Sequence, residues 1–150
     1  MTLALRPAVV VMDIAMPRLN GLEATRQVRA QCERASFVAL DSIAELGARN
    51  VLITQESGCF ALFREDREFK RYRAMSPKVE PVSTVGSGDA LLAGFLAARH
   101  AEKSFDEALR AAVGAGSAST LEVGAGRFDP REAGRLAGGV EVAELEPVAH

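Results

Sequence analysis

Apolar residues run unbroken from Ala8 to Met12 and stop at Asp13, which predicts a short buried strand. A loop follows, Ile14-Ala15-Met16-Pro17-Arg18-Leu19-Asn20-Gly21, because Pro17 and the Asn20-Gly21 pair favour turns over regular structure. Leu22, Thr25, Val28 and Arg29 then fall on adjacent turns of a helix that fades in Gln31-Cys32-Glu33-Arg34. A second helical pattern, carried by Phe37, Leu40, Ile43 and Ala44, spans about Phe37 to Leu46 and stops at Gly47. Asn50 to Thr54 reads as a buried strand. Cys59 to Arg64 and Glu68 to Arg73, separated by Glu65-Asp66-Arg67, read as an antiparallel hairpin whose outer face is charged and solvated.

Pro77 and Pro81 bracket an extended piece that leads through Val82-Ser83-Thr84-Val85 into Gly86-Ser87-Gly88-Asp89. The clearest helix begins there, from Asp89 to about Ala101, with Leu91, Leu92, Phe95, Leu96 and Ala98 on its apolar stripe. Ser104 with Glu107 three residues later forms a capping box for an Ala- and Gly-rich helix that continues through Ser119. Asp129-Pro130-Arg131-Glu132 is another helix start, with proline at the first helical position. Val140, Val142 and Leu145 alternate as a closing strand.

The composition narrows the function classes. The chain has 150 residues, 48% hydrophobic and 25% charged, which suits one folded domain and excludes disorder. Aromatics make up only 5%, with no Trp, so the core must be built from Val, Leu, Ile and Ala, which favours α/β layers. The formal net charge of -2 provides no positive field for a polyanion, so nucleic acid is not the expected ligand. The longest apolar stretch, Ala90 to Ala98, is too short to cross a bilayer, and the N-terminus lacks the layout of a secretory signal. A cytoplasmic location is expected. Cys32 and Cys59 lack the spacing of a metal or redox motif and are expected to be reduced and structural, and with only His100 and His150 no histidine-rich metal site can form.

The turn Gly86-Ser87-Gly88-Asp89 lies between a strand and a helix, and that context carries the chemistry. A helix N-terminus exposes unpaired N–H groups and a partial positive charge, and glycines there let the backbone close around a phosphate. Asp89 at the mouth of this cradle could accept a proton from an attacking hydroxyl while the amides stabilise the transferred phosphoryl group. The competing structural reading is that Asp89 caps the helix after a tight turn.

The run Val82-Ser83-Thr84-Val85-Gly86-Ser87-Gly88-Asp89-Ala90-Leu91-Leu92-Ala93-Gly94-Phe95-Leu96 resembles the C-terminal signature of the ribokinase-like (PfkB-type) sugar kinases. The resemblance extends from about Phe37 to Leu145. Ala48 to Thr54 is similar to the strand leading to that family's nucleotide loop. Ala111 to Thr120, followed by Val123-Gly124-Ala125-Gly126, is similar to its adenine-side helix and closing loop. The Val-Gly-Ser-Gly-Asp form and the run Glu122 to Asp129 are most similar to the hexose-phosphate branch that includes fructose-1-phosphate kinases.

The resemblance implies Asp89 as catalytic base, with Gly86, Ser87 and Gly88 as the anion hole. It puts Thr54, Glu56 and Gly58 on the nucleotide phosphate side, and Gly114 and Ser117 near the base. The family's Thr-x-Gly-x-x-Gly loop appears here as Thr54-Gln55-Glu56-Ser57-Gly58, one residue shorter and without the first glycine.

The segment from Val9 to Thr25 resembles a different family, the receiver domains of two-component response regulators, in which the Asp at the strand end, here Asp13, is phosphorylated. A receiver also needs an acidic pair earlier in the chain to hold Mg²⁺. The dozen residues before Asp13 contain no carboxylate. Asp13 is therefore read as a polar residue ending a strand.

Together the resemblances imply a receiver-like β-loop-α fragment over 1–34 and a PfkB-type kinase segment over 35–150. The expected fold is a three-layer, ribokinase-like α/β half-domain, with a mainly parallel sheet and helices on both faces. The implied function is ATP-dependent phosphoryl transfer to a hydroxyl of a sugar or sugar phosphate, with ATP and Mg²⁺ as cofactors and the sugar-binding half missing. No residue is assigned as a metal ligand. The implied partners are nucleotide and sugar phosphate, without nucleic acid or membrane and with room for a homodimer. The rival reading is a non-catalytic fusion or truncated module that binds a nucleotide or a partner. An enzyme needs a sugar-binding segment, and none is recognisable upstream of Phe37.

Overall fold

The structure, a computed structural model, describes residues 40–45, 47–65 and 67–146, together with the strand at residues 9–13. The expected loop after Asp13, the helix from Leu22 and Cys32 lie outside the described residues.

Five strands form one sheet in sequence order: β1 (Val9–Asp13), β2 (Asn50–Gln55), β3 (Gly58–Glu65), β4 (Glu68–Met75) and β5 (Glu141–Leu145). β1 and β2 are parallel, whereas β2–β3, β3–β4 and β4–β5 are antiparallel. The expectation of a mainly parallel sheet is thereby corrected, and the reason is local. Gln55 pairs with Gly58 and Glu65 with Glu68, so each connection is a two-residue turn. A parallel crossover needs a dozen residues or more. Arg67 in the second turn takes φ 82°, the left-handed geometry that suits the twist of a hairpin.

Residues 40–45 form a helical segment, α1, closed by Gly47 at φ 100°. Three longer helices follow: α2 (Ser87–His100), α3 (Phe105–Thr120) and α4 (Pro130–Gly138). The capping box at Ser104 is complete: its hydroxyl accepts from the Glu107 amide at 3.2 Å, and the Glu107 carboxylate accepts from the Ser104 amide at 3.0 Å. These bonds hold the Glu107 carboxyl below its usual range. Asp129 caps α4 by accepting from the Arg131 amide, with Pro130 at the first helical position.

The sheet has a hydrophobic layer on each face. On one, Cys59, Ala61 and Phe63 of β3 pack with Leu91, Phe95, Leu109 and Val113 of α2 and α3. On the other, Phe60 and Leu62 pack with Leu40, Ile43 and Ala44 of α1. The two-residue period of a strand sends alternate β3 side chains into opposite layers, which is why Gly58 to Phe63 is buried without a break. Phe63 anchors the larger layer, with its ring stacked 4.1 Å from Phe105 and 5.4 Å from Phe95. Helices on both faces agree with the sequence reading.

Two details differ from it. Leu96 is 48% exposed, because the inward face of α2 is Ala90, Leu91, Phe95 and Ala98. The charged β4 is also not simply solvated, since Arg71 donates to Asp41 through Nε at 3.0 Å and Nη2 at 2.6 Å, tying the sheet to α1. Tyr72 donates to Glu65 at 2.6 Å, and burial followed by that carboxylate pushes its phenol well above the usual range.

Cys59 is buried and free, as expected of a structural thiol, and burial pushes it up to about 12. Its contribution to stability is complete below the ordinary thiol value, about 8.5, and is lost as pH rises from there toward the folded value. Urea unfolding at several pH values is expected to show stability declining across that alkaline window. Cys59→Ala should flatten the decline between about pH 8.5 and 10, above which the raised Tyr72 phenol gives a decline of its own, and the native Cys59 peptide should stay unalkylated at pH 7.

Candidate functional site

The carboxyl ends of the two parallel strands lie side by side, with Asp13 of β1 in register with Thr54 of β2. The β2–β3 turn sits at this end. The residue that follows it, Gly58 at the start of β3, takes φ 151°, and a Cβ there would lie 2.0 Å from the Ala74 carbonyl oxygen. Only glycine allows β4 to approach so closely.

The turn is then stitched to the helices. The Ser57 carbonyl accepts from the Ser76 amide at 2.8 Å, and the Ser76 and Ser117 hydroxyls are 2.6 Å apart. The Thr120 carbonyl at the end of α3 accepts from the Val82 and Ser83 amides at 2.7 and 3.0 Å. These bonds place the Gly86 turn at the same end of the sheet as Thr54. A crevice outside the carboxyl ends of strands is where open α/β sheets characteristically take ligands.

Gly86 stands before the first residue of α2, at φ 83°. The helix has no side-chain cap there, so Gly86 is the N-cap and Asp89 is a first-turn residue, which corrects the capping reading. The amide of Ser87 donates to the Thr84 carbonyl at 3.3 Å, and its hydroxyl donates to the same oxygen at 2.9 Å. Both donors of Ser87 are thus engaged. The amides of Gly88 and Asp89 come too early in the helix to find an acceptor within it. Both residues are exposed, and nothing lies within 4 Å of where a Gly88 Cβ would stand. The free face of the cradle therefore consists of these two amides and the Asp89 carboxylate.

A second glycine turn supports the first. Gly124 and Gly126 take φ 114° and 69°, and the Arg127 amide donates to the Gly124 carbonyl at 3.4 Å. A Cβ on Gly86 would lie 2.8 Å from Ala125 Cα and Gly126 N. The two turns touch backbone to backbone.

The other expected site residues are dispersed around this arrangement. Thr54, next to last in β2, is half-exposed, and Glu56 is exposed in the turn. Ser117 is buried, and its hydroxyl is engaged by Ser76. Gly114 faces α4: a Cβ there would lie 2.6 Å from the Ala133 carbonyl and 2.8 Å from Ala137, so its glycine serves helix packing. Ser76, which bridges the turn to α3, carries no motif signal, and only the pairing of β3 with β4 brings it into place. No group of three or more His, Cys, Asp or Glu among the described residues could hold a metal ion. An open groove of about 400 Å³ lined by Lys103, Glu107, Arg110, Ala133 and Gly134 lies toward the N-terminal end of α3, away from Gly86.

In a three-layer α/β fold, a glycine turn opening a helix beside the strand ends is an arrangement that can take an anion. The pfkB family of carbohydrate kinases matches residues 5–132, and the chain belongs to that family. It is 32% identical over 81 residues to a 1-phosphofructokinase of Borreliella burgdorferi, covering 54% of this chain and 26% of that protein. It is 34% identical over 88 residues to the 1-phosphofructokinase of Bacillus subtilis, covering 57% of this chain and 28% of that protein. A 56-residue stretch is 41% identical to a protein-glutamate methylesterase/protein-glutamine glutaminase of Colwellia psychrerythraea, covering 37% of this chain and 14% of that protein. In fold, it superposes on phosphofructokinase-2 from Escherichia coli with a TM-score of 0.64 at 21% identity, over 87% of this chain and 40% of that one. The chain thus spans well under half the length of the proteins it matches. Among the described residues, no helix is long and apolar enough to cross a membrane.

Gly114 and Gly134 test which glycines the packing requires. Gly114→Ala should destabilise the chain by about 1–3 kcal/mol, because backbone atoms of α4 occupy the space. Gly134→Ala, in helix with nothing within 4 Å, should stabilise it by up to about 1 kcal/mol. Equal effects in urea unfolding would contradict the close α3–α4 approach.

Proposed function

We propose that this chain carries the nucleotide-phosphate and general-base portion of an ATP-dependent sugar-phosphate kinase of the 1-phosphofructokinase type. The observation that carries the reading is the pair of unpaired amides at Gly88 and Asp89, opened by Gly86 at φ 83° and braced by the Gly124–Arg127 turn. Family membership and the named relatives support the substrate class.

In this reading the Gly88 and Asp89 amides donate to the oxygens of the transferred phosphoryl group, where negative charge is greatest, and the helix end adds its partial positive charge. The Asp89 carboxylate, exposed in the same turn, takes the proton of the attacking hydroxyl. Thr54 and Glu56 at the β2–β3 turn face the nucleotide phosphates, and Ser117 with Gly114 supports the α3 wall on the nucleoside side. Mg²⁺, which is usually held by one or two carboxylates together with substrate phosphates, would enter with the phosphates it neutralises.

The test combines calorimetric titration with ATP and a coupled kinase assay with fructose 1-phosphate. Wild type should bind ATP. Asp89→Asn should keep nucleotide affinity within a few fold while lowering any sugar phosphorylation by roughly 10²-fold or more, since the carboxylate acts on the acceptor. Binding without turnover in the wild type would identify the non-catalytic nucleotide-binding module instead, and equal activity in the variant would remove Asp89 from the mechanism.

A further inference from the structure

α2 is apolar over more of its circumference than the fold covers. Ala90, Leu91, Phe95 and Ala98 are buried, and Gly94 lies against Ala111 and Ala115 of α3. On the opposite side Ala93, Leu96 and Ala97 are exposed and Leu92 is half-buried. Three- and four-residue spacing puts Asp89, Leu92, Ala93, Leu96, Ala97 and His100 on this one face. A helix that is apolar all round is normally covered all round.

The two ends of the face differ in sign. Asp89 is the acidic residue of the first turn, and Arg99 and His100 are the basic residues of the last. Arg99 is committed, since its guanidinium lies 4.1 Å from the Phe105 ring centre and donates to the Lys103 carbonyl. Asp89 and His100 make no ion pair among the described residues.

This face complements its own copy when two helices run antiparallel. Positions equidistant from the midpoint between Gly94 and Phe95 then meet: Leu96 of one copy faces Ala93 of the other, Leu92 faces Ala97, and Asp89 faces His100. A small residue opposite each leucine lets the axes approach closely, and each imidazole N–H can donate to a carboxylate. The positive N-terminal end of each helix also comes beside the negative C-terminal end of the other. A parallel pair would set leucine against leucine and Asp89 against Asp89. A patch that matches itself through a two-fold axis is the requirement of an isologous dimer.

We propose that the outer face of α2 docks a second copy of this chain as an antiparallel two-fold pair, with Leu92 and Leu96 as its apolar contact and Asp89 with His100 setting direction and register. The pairing uses Asp89 only as a charge, so it stands or falls apart from the kinase reading above.

Sedimentation velocity of the full chain over a range of concentrations tests it. One helix face is smaller than a standard interface, so the wild type should dimerise with a Kd above about 1 μM. Leu96→Glu and Ala97→Glu, which put a charge into the contact, should each weaken the dimer about tenfold or more. His100→Glu should do the same by setting like charges opposite one another, and the double variant Asp89→Lys/His100→Glu should recover to within about threefold of the wild type. Phe69→Glu, at an exposed apolar position on β4, should leave association unchanged. Thermal midpoints equal to that of the wild type show that lost association is not lost folding. A wild type that stays monomeric up to about 1 mM leaves the face to a different polypeptide and overturns the proposal. So does a dimer undiminished by both glutamate variants of the stripe, or a double variant that does not recover.

Discussion

The position of the α2 N-terminus is set by how closely α2 can approach α3, and two glycines decide that distance. A Cβ on Gly94 would lie 2.9 Å from the Ala111 carbonyl and 3.0 Å from Ala115 Cβ, and one on Gly116 would lie 3.1 Å from Leu91 Cβ and 3.2 Å from the Ser87 carbonyl. Real Cβ atoms do not sit comfortably so close to backbone. The helices therefore pack backbone to backbone at two levels, one near the middle of α2 and one at its first turn. Because α3 also lies against the sheet through Leu109 and Val113, this contact transmits the rigidity of the sheet to the cradle. A functional turn on a loop gains its precision from such a scaffold.

The same logic explains the second turn. Gly86 is constrained twice, by a left-handed φ and by the backbone of Ala125 and Gly126. A side chain there would strain the turn and push the two loops apart together. Ser87 turns both of its donors inward to Thr84, which fixes the turn from within and leaves the next two amides for a ligand. Rigidity inside and unsatisfied donors outside are thus achieved by adjacent residues.

Much of this was legible in the sequence where the signal is local. The capping box of Ser104 and Glu107, the Asp129-Pro130 start, the Gly47 stop and the β3–β4 hairpin follow from chemistry within a few residues, and they stand in the structure at nearly the same boundaries. The strand-turn-helix context of Gly86 to Asp89 was local as well. Strand direction was not. Reading Thr54 to Gly58 as a shortened ligand loop concealed a two-residue hairpin turn, and with it the antiparallel majority of the sheet. Gly114 carried no sign of whether it faces a ligand or α4, since glycine is required equally by close helix packing and by close ligand approach. Arg71 looked like one of several surface charges because its partner, Asp41, lies thirty residues away in sequence.

The surroundings of the cradle add a last physical element. Val82, Val85 and Val123 are exposed at 64%, 67% and 75%, and each belongs to a segment that forms or braces the Gly86 turn. Three exposed valines on these segments are costly in water, since apolar surface is left wet at about 25 cal/mol per Å². They also change what happens when an anion arrives. Water displaced from apolar surface is not lost as a hydrogen-bond partner, and the local dielectric falls as it leaves, so the amide contacts to the anion strengthen. A polar rim would keep competing for the same donors. On the function proposed above, wet apolar surface on these segments would favour a ligand whose charged end is joined to a less polar body over a small free anion.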